Sequence, residues 1–145
     1  MRPLRFSVVC LLGSLVSSVQ AEDVVVSRHY LENERVEFEI SRAEWEKAPD
    51  WQPTFGQAAP LSRNQALAAA QKAATIEKLD VSDLSQLVIR LEQTNRFEKD
   101  LVDRLPAKGC RWFYLVNFKG NDIKLRAKYT FLVTMSGAVA TKVFK

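Results

Sequence analysis

The fold is decided by residues 60–79, PLSRNQALAAAQKAATIEKL, which predict the one main helix of the chain. Ser62 is a good N-cap, because its hydroxyl can accept a hydrogen bond from the backbone N–H of Gln65. The Gln65 side chain can bond back to the cap and complete a capping box. Leu61 precedes the cap and can pack on Ala66 as a hydrophobic staple. This pattern predicts a helix that begins directly after Ser62.

The apolar face of this helix is made mostly of alanine. At i, i+3 and i+4 spacing it carries Ala66, Ala69, Ala70, Ala73 and Ile76, opposite a polar face with Asn64, Gln71, Thr75 and Lys78. Alanine allows a neighbouring layer to come close but contributes little volume. The bulk of the core must therefore come from a sheet, and the helix is expected to extend over residues 63–79.

Residues 1–21 have the pattern of a removable export signal. A positive start with Arg2 and Arg5 is followed by an apolar segment that is too short to span a membrane, and then by the small-residue site VQA. We expect cleavage after Ala21. The product, residues 22–145, is then exported to the periplasm or secreted, with no stable membrane span.

The charge of the processed chain gives no reason to expect nucleic-acid binding. The removed segment contains Arg2, Arg5 and no acidic residue, so the net charge of +4 at pH 7 falls to +2 in residues 22–145. A nucleic-acid-binding domain is usually far more basic than this. The length of the processed chain suits one domain with a real core.

Metal sites, cofactor sites and the common nucleophilic sites lack the residues they need. His29 is the one histidine, and Cys110 is the one cysteine outside the export signal, so no internal disulfide can form. Zinc sites and Cys/His or Ser/His/Asp catalysis need more groups than these. We therefore expect no cofactor, no metal and no enzyme activity. Cys110 is either a buried small hydrophobe or a free thiol, and burial at the start of a strand is favoured.

Residues 22–41 predict a β-hairpin with its turn at residues 32–34. In the second arm Val36, Phe38 and Ile40 alternate with charged residues, as in a strand with one buried face. A two-stranded hairpin is marginal by itself, so it needs a surface to pack on.

Residues 41–59 predict a short capped helix followed by an irregular connector. Residues 41–44 form a second capping box, and the prolines that follow prevent regular structure. Trp45, Trp51 and Phe55 are large aromatic residues in this segment. They either tie the connector down across the domain or form an exposed contact site.

The residues after the main helix predict an antiparallel meander. Its strands are 84–93, 110–119, 123–135 and 139–144, with a tight hairpin turn at Ser136 and Gly137. Residues 110–119 are apolar on both faces, which is typical of a strand at the centre of its sheet. The intervening residues 94–109 are either a short helix or a mobile loop.

The sheet face away from the helix is predicted to be apolar in the middle and basic at its edges. The N-terminal hairpin is the expected cover for this face, and without it the face would be a partner surface. The residues of this candidate partner surface are Trp45, Trp51, Phe113, Leu115, Lys124, Arg126 and Lys128. The row of three basic residues could also hold an anionic ligand.

Residues 60–145 resemble the PepSY-like domains of exported bacterial proteins. In those domains a helix that begins L-S-x-x-Q-A precedes a Trp/Tyr-rich strand and a closing hairpin. The matching positions are Leu61, Ser62, Gln65, Ala66, Trp112, Tyr114, Val116, Phe118, Val133, Gly137 and Val139. Where the family often has an acidic residue before the hairpin glycine, this chain has Ser136. Residues 22–59 have no counterpart in the resemblance.

The resemblance implies a non-catalytic module of a kind that sometimes binds or inhibits peptidases. The predicted fold class is α+β, with one main helix on an antiparallel sheet of PepSY-like or cystatin-like form and an N-terminal hairpin, all in one domain over residues 22–145. The predicted function is surface contact with a protein partner, a peptidase or an envelope component. The alternative is a small-ligand-binding domain of cystatin-like or NTF2-like shape, with a cavity between sheet and helix.

Overall fold

The computed structural model describes residues 22–31, 34–94, 98–120 and 122–145; the predicted export signal lies outside them. The fold is α+β with two small antiparallel sheets. Its elements are β1 (Asp23–Leu31), β2 (Glu34–Ser41), α1 (Arg42–Lys47), α2 (Arg63–Ile76), β3 (Val88–Gln93), α3 (Lys99–Val102), β4 (Trp112–Asn117), α4 (Ile123–Arg126), β5 (Thr130–Thr134) and β6 (Thr141–Phe144). The strand orders are β1-β2-β6 and β3-β4-β5.

The predicted N-cap of α2 is confirmed. The Ser62 hydroxyl accepts from the Gln65 N–H at 3.2 Å, and the Gln65 side chain accepts from the Ser62 N–H at 2.8 Å. The helix ends three residues earlier than predicted, because Lys78 takes a left-handed backbone conformation with φ of 57°. The Leu79 N–H then bonds to the Ala74 carbonyl at 2.9 Å, which closes a Schellman turn.

The buried stripe of α2 differs from the predicted one at its end. Ala66, Ala70 and Ala74 are fully buried at i, i+4 spacing, whereas Ile76 is 74% exposed. The prediction that Ile76 faces the core is therefore wrong. Three shorter helices of four to six residues accompany this 14-residue helix in the part of the chain that is described.

The β3-β4-β5 sheet separates two layers of the core, and β4 is its central strand as predicted. Tyr114 and Val116 face α2 in one apolar cluster. Phe113 and Leu115 face the β1-β2-β6 sheet in the other, where Phe38 is among the residues they pack with. The N-terminal hairpin thus covers the second face of the sheet, which confirms the expected intramolecular cover.

The last strand leaves the meander. The turn at Ser136 and Gly137 is confirmed, with Gly137 at φ of 87° and its N–H bonded to the Thr134 carbonyl at 2.9 Å. One bridge joins Val133 to Val139, but the following residues cross over and β6 pairs with β2. The prediction of a fourth meander strand is wrong here, and the crossing chain connects the two sheets.

The predicted strand over residues 123–135 is also wrong in its first half. Residues 123–126 form α4, and the next turn is closed by the Tyr129 N–H bonding to the Leu125 carbonyl at 3.1 Å. Its neighbour β4 supplies strand partners only for residues 130–134. An extended chain before residue 130 would leave its backbone groups without a neighbouring strand, so a helical turn satisfies them instead.

The structure decides between the alternatives for two connecting segments. Residues 49–60 have no regular structure, as predicted, and the connector is held by buried Trp51 while Phe55 is fully exposed. Between β3 and β4 lies α3, whose Leu101 is buried, so the short-helix alternative is confirmed for residues 99–102. Residues 95–97 lie outside the described part of the chain.

Candidate interaction surface

Four of the seven predicted surface residues are buried. Trp45, Trp51, Phe113 and Leu115 are between 1% and 8% exposed. The Trp45 indole packs against Gly109, so closely that a Cβ atom at Gly109 would lie 2.3 Å from the indole nitrogen. Trp45, Phe113 and Leu115 are buried in the cluster under the N-terminal hairpin. Trp51 is buried in the other cluster, on the α2 side of the sheet, where its ring meets Trp112 edge-on. The prediction that these four residues form a partner surface is therefore wrong.

The basic row does not form along a strand. Arg126 ends α4 and is partly buried, and Lys128 lies exposed beyond it, while the side chain of Lys124 is outside the described part. Because residues 123–126 are helical, the period-two alternation that would align three cations on one face is lost. The hypothesis of an anion site on this row has no geometric basis.

The largest charged cluster on the hairpin has a structural role. Arg28 contacts Glu37 at 2.9 Å and Asp100 at 2.7 Å, and Glu37 is also within 4 Å of Arg35 and Lys145. The hydrogen bond to Asp100 raises the pKa of Arg28 and lowers the pKa of Asp100. These contacts join β1, β2, α3 and Lys145. Each charged side chain named here lies within 4 Å of one of opposite charge.

His29 is partly buried, and Cys110, the one cysteine in the described part of the chain, is buried. Burial lowers the pKa of His29, whose ring meets Phe38 edge-on at a centroid distance of 5.5 Å. Burial raises the pKa of the Cys110 thiol, which lies 3.5 Å from the carbonyl oxygen of Trp51. The thiol is therefore kept protonated and away from solvent, which confirms the expected burial of Cys110 at the start of β4.

An apolar groove lies open between the end of α2 and β6. It has a volume of about 450 Å³, and its lining includes Ala73, Ile76, Val139 and Phe144. Ile76 is 74% exposed and Phe144 is 52% exposed, one on each side of the groove. Large apolar side chains left in water next to each other mark interaction surfaces more often than isolated ones do.

The floor of the groove is held by a buried lysine. The Lys142 ammonium lies 2.8 Å from a Glu77 carboxylate oxygen and 2.6 Å from the Lys128 carbonyl oxygen. It also sits 4.0 Å above the centre of the Phe131 ring. Burial lowers the pKa of Lys142, and the hydrogen bond to Glu77 opposes that effect. Because Glu77 caps α2, this contact fixes the helix end against β6.

Sequence reasoning missed both walls of the groove. The helical spacing predicts Ile76 in the core stripe, and Phe144 lies in the predicted last strand of the meander. The exposure of Ile76 had a signal in the sequence. The alanines at 66, 70 and 74 define a buried stripe whose next position at i+3 or i+4 is 77 or 78, not 76. For Phe144 no local signal existed, since its surroundings depend on β6 leaving the meander.

Comparisons with known proteins add no family to this description: no family model, no curated protein and no solved structure matches the chain. In the described part of the chain, no cluster of three or more His, Cys, Asp or Glu side chains is arranged to hold a metal ion. None of the helices within the described ranges is long and apolar enough to cross a membrane.

Proposed function

We propose that this chain is an exported, non-catalytic binding or regulatory module that acts by surface contact with a protein partner, a peptidase or an envelope component. The observation that carries the proposal is the open groove of Ile76 and Phe144. The export pattern of residues 1–21 supports the location. In this proposal, residues 60–145 are a PepSY-like unit, and the groove replaces the buried aromatic residues as the contact surface.

The groove is suited to a protein side chain rather than to an enclosed small molecule. Its walls come from a helix and a strand that are tied together by the Lys142–Glu77 ion pair, so it keeps its shape without a ligand. It remains open to solvent, whereas small-molecule sites bury most of their ligand. An apolar anchor from a partner can fill such a groove and become the centre of an interface.

The alternative of a ligand cavity between sheet and helix has no support from the packing. Ala66, Ala70 and Ala74 are fully buried, and Val116 and Phe118 of the sheet side lie in the same closely packed cluster. Since alanine brings the two layers close together, the space that a ligand would need is occupied by these side chains.

The proposal is tested by capture with matched variants. The tagged protein and an Ile76→Gln/Phe144→Gln variant are each exposed to a cell-envelope extract, and the bound proteins are quantified by mass spectrometry. A Phe55→Gln variant is the control, because Phe55 is fully exposed and is not among the residues that line the groove. All three proteins should unfold at similar temperatures, since only exposed side chains are changed.

We expect one specific partner to be lost by about tenfold or more in the groove variant and retained in the control, as for the removal of an interface anchor. If that partner is a peptidase, its activity on a peptide substrate should then change on adding the wild-type protein but not the groove variant. Equal capture by the wild-type and groove variants would show that the groove is not the contact surface.

A further inference from the structure

The outer edge of β3 is open to a further strand. In the described part of the chain β3 is the end strand of its sheet. The Thr94 N–H is directed toward β4, where it donates to the carbonyl of Arg111, just before β4, at 3.0 Å. The Ile89 carbonyl is directed the other way and accepts a hydrogen bond from the Arg63 side chain of α2. Because backbone groups alternate between the two sides of a strand, Ile89, Leu91 and Gln93 direct theirs away from β4.

This edge lacks two of the common protections against pairing. Natural edges are blunted by proline, by a bulge, by charged side chains or by a covering element, and Val88–Gln93 has neither a proline nor a bulge. The register of β3 with β4 is regular from Val88 to Gln93, and Leu91 is 37% exposed at its centre. Among the described residues, Arg63 covers part of this edge, since its side chain reaches the Ile89 carbonyl at 3.0 Å from an exposed position.

The charges of β3 are arranged symmetrically about Leu91. Arg90 precedes it and Glu92 follows it, and their side chains are 47% and 30% exposed. Nε of Arg90 lies 3.7 Å from Oε1 of Glu92. Both lie on the same face of the strand, because alternate residues share a face. An antiparallel copy of the same strand centred on Leu91 would place each of these charges opposite its own complement.

We propose that β3 pairs with β3 of a second copy of this chain, antiparallel, about a two-fold axis at Leu91. Arg90 then faces Glu92 of the second copy, and Glu92 faces Arg90 of the second copy. The outward backbone groups of Ile89, Leu91 and Gln93 find partners across the axis, and the β3-β4-β5 sheet continues into a six-stranded sheet. An interface of this kind is isologous, since each contact occurs twice.

Charge selects this register over its neighbours. A two-fold axis at Arg90 would place Arg90 opposite Arg90 of the second copy, and an axis at Glu92 would oppose two carboxylates. Like charges directly opposite each other destabilise a strand pair, and opposite charges stabilise it. The sequence Arg90-Leu91-Glu92 therefore favours the register centred on Leu91.

The first test is a charge exchange measured by sedimentation equilibrium of the purified protein. Arg90→Glu alone and Glu92→Arg alone each put like charges across the axis twice, so each should weaken dimerisation by about tenfold or more. The double variant Arg90→Glu/Glu92→Arg restores opposite charges and should dimerise about as well as the wild type. Lys72→Glu is the control, because it changes an exposed charge on α2 by the same amount.

The second test uses disulfide trapping. In the proposed register the two copies of residue 91 form a hydrogen-bonded pair with Cα atoms about 5.5 Å apart, within the range that a disulfide spans. Residue 93 lies opposite residue 89, so its two copies are about 13 Å or more apart. Leu91→Cys should give a covalent dimer on mild oxidation, and Gln93→Cys should not; the buried Cys110 is common to both variants.

Either of two results would overturn the proposal. A wild-type protein that sediments as a monomer up to a concentration of roughly 1 mM has no self-association of useful strength. A dimer that the exchanged double variant fails to recover, or that both cysteine variants trap equally, uses another surface or another register. The groove variants of the partner test leave β3 unchanged, so the two proposals fail independently.

Discussion

Among the described glycines, Gly109 is the one whose replacement by alanine should lower the free energy of unfolding most. Gly109 has φ of 125°, a conformation that residues with a side chain rarely adopt. The new Cβ atom would lie 2.3 Å from Nε1 and 2.6 Å from Cδ1 of the Trp45 indole. Trp45 is 1% exposed and is part of the core between the sheets, so moving its ring away from residue 109 would disturb that packing.

The magnitude follows from two separate effects. Backbone strain at such a φ costs about 1–3 kcal/mol. Overpacking a closely packed core costs about 1–3 kcal/mol more. We expect Gly109→Ala to lower the free energy of unfolding by about 3–5 kcal/mol in total, which is a large share of the stability of a domain of this size. The corresponding fall in the unfolding temperature is roughly 10–20 °C.

Gly56→Ala separates the two effects. Gly56 also has a positive φ, of 80°, but a Cβ atom there would have nothing within 4 Å. This variant should therefore lose only the conformational part, about 1–2 kcal/mol. Urea denaturation followed by far-UV circular dichroism gives both free energies, provided that the slopes with denaturant agree. A difference of less than about 1 kcal/mol between the two variants would refute the argument that the Trp45 contact dominates.

Two further changes test local contacts. Ser62→Ala removes the hydroxyl that accepts from the Gln65 N–H, so it should lower the free energy of unfolding by about 1 kcal/mol. Ser62→Asp keeps an acceptor at the cap and should retain most of that stability. Thermal unfolding of both variants measures the difference. Burial lowers the pKa of His29 below its usual 6.5, so the unfolded chain binds a proton before the folded one does, and stability should fall as the pH drops through 6.5 toward the lowered value. His29→Gln should flatten the stability profile as the pH falls through 6.5, and a profile that keeps its slope there would assign the loss to other groups.

Local chemistry made several elements predictable from their own residues. The Ser62–Gln65 capping box and the alternation of Val36, Phe38 and Ile40 depend on neighbours within a few positions, and both are confirmed. The same holds for the hairpin turn at Gly137, whose φ of 87° suits a residue without a side chain. The central position of β4 was also predictable, since a strand that is apolar on both faces needs cover on both sides.

The alternation of residues 123–129 shows where the same reasoning fails. Ile123, Leu125 and Tyr129 fit a strand period, but the pattern does not say whether a neighbouring strand is present to bond with. Because β4 ends at Asn117 and pairs only with residues 130–134, the earlier residues fold into a helical turn. A pattern of side chains thus predicted a strand where the backbone had no partner.

The candidate groove lay outside what any local pattern could predict. Its wall Ile76 is exposed because α2 is rotated to bury Ala74, and its wall Phe144 is exposed because β6 pairs with β2. Both facts depend on how the two sheets are joined. Trp45 is buried between the two sheets for the same reason, whereas Trp51 is buried on the α2 side of the β3-β4-β5 sheet.

The sequence by itself determined the α+β class, the capped start of α2, the N-terminal hairpin and the two-faced central strand, because each follows from hydrogen bonds and burial within one element. The tertiary structure alone decided that β6 crosses to the hairpin sheet, that the hairpin encloses Trp45, and that Ile76 and Phe144 remain in water. The physical reason is that burial depends on contacts between elements distant in sequence, and every sheet edge competes for the same strands.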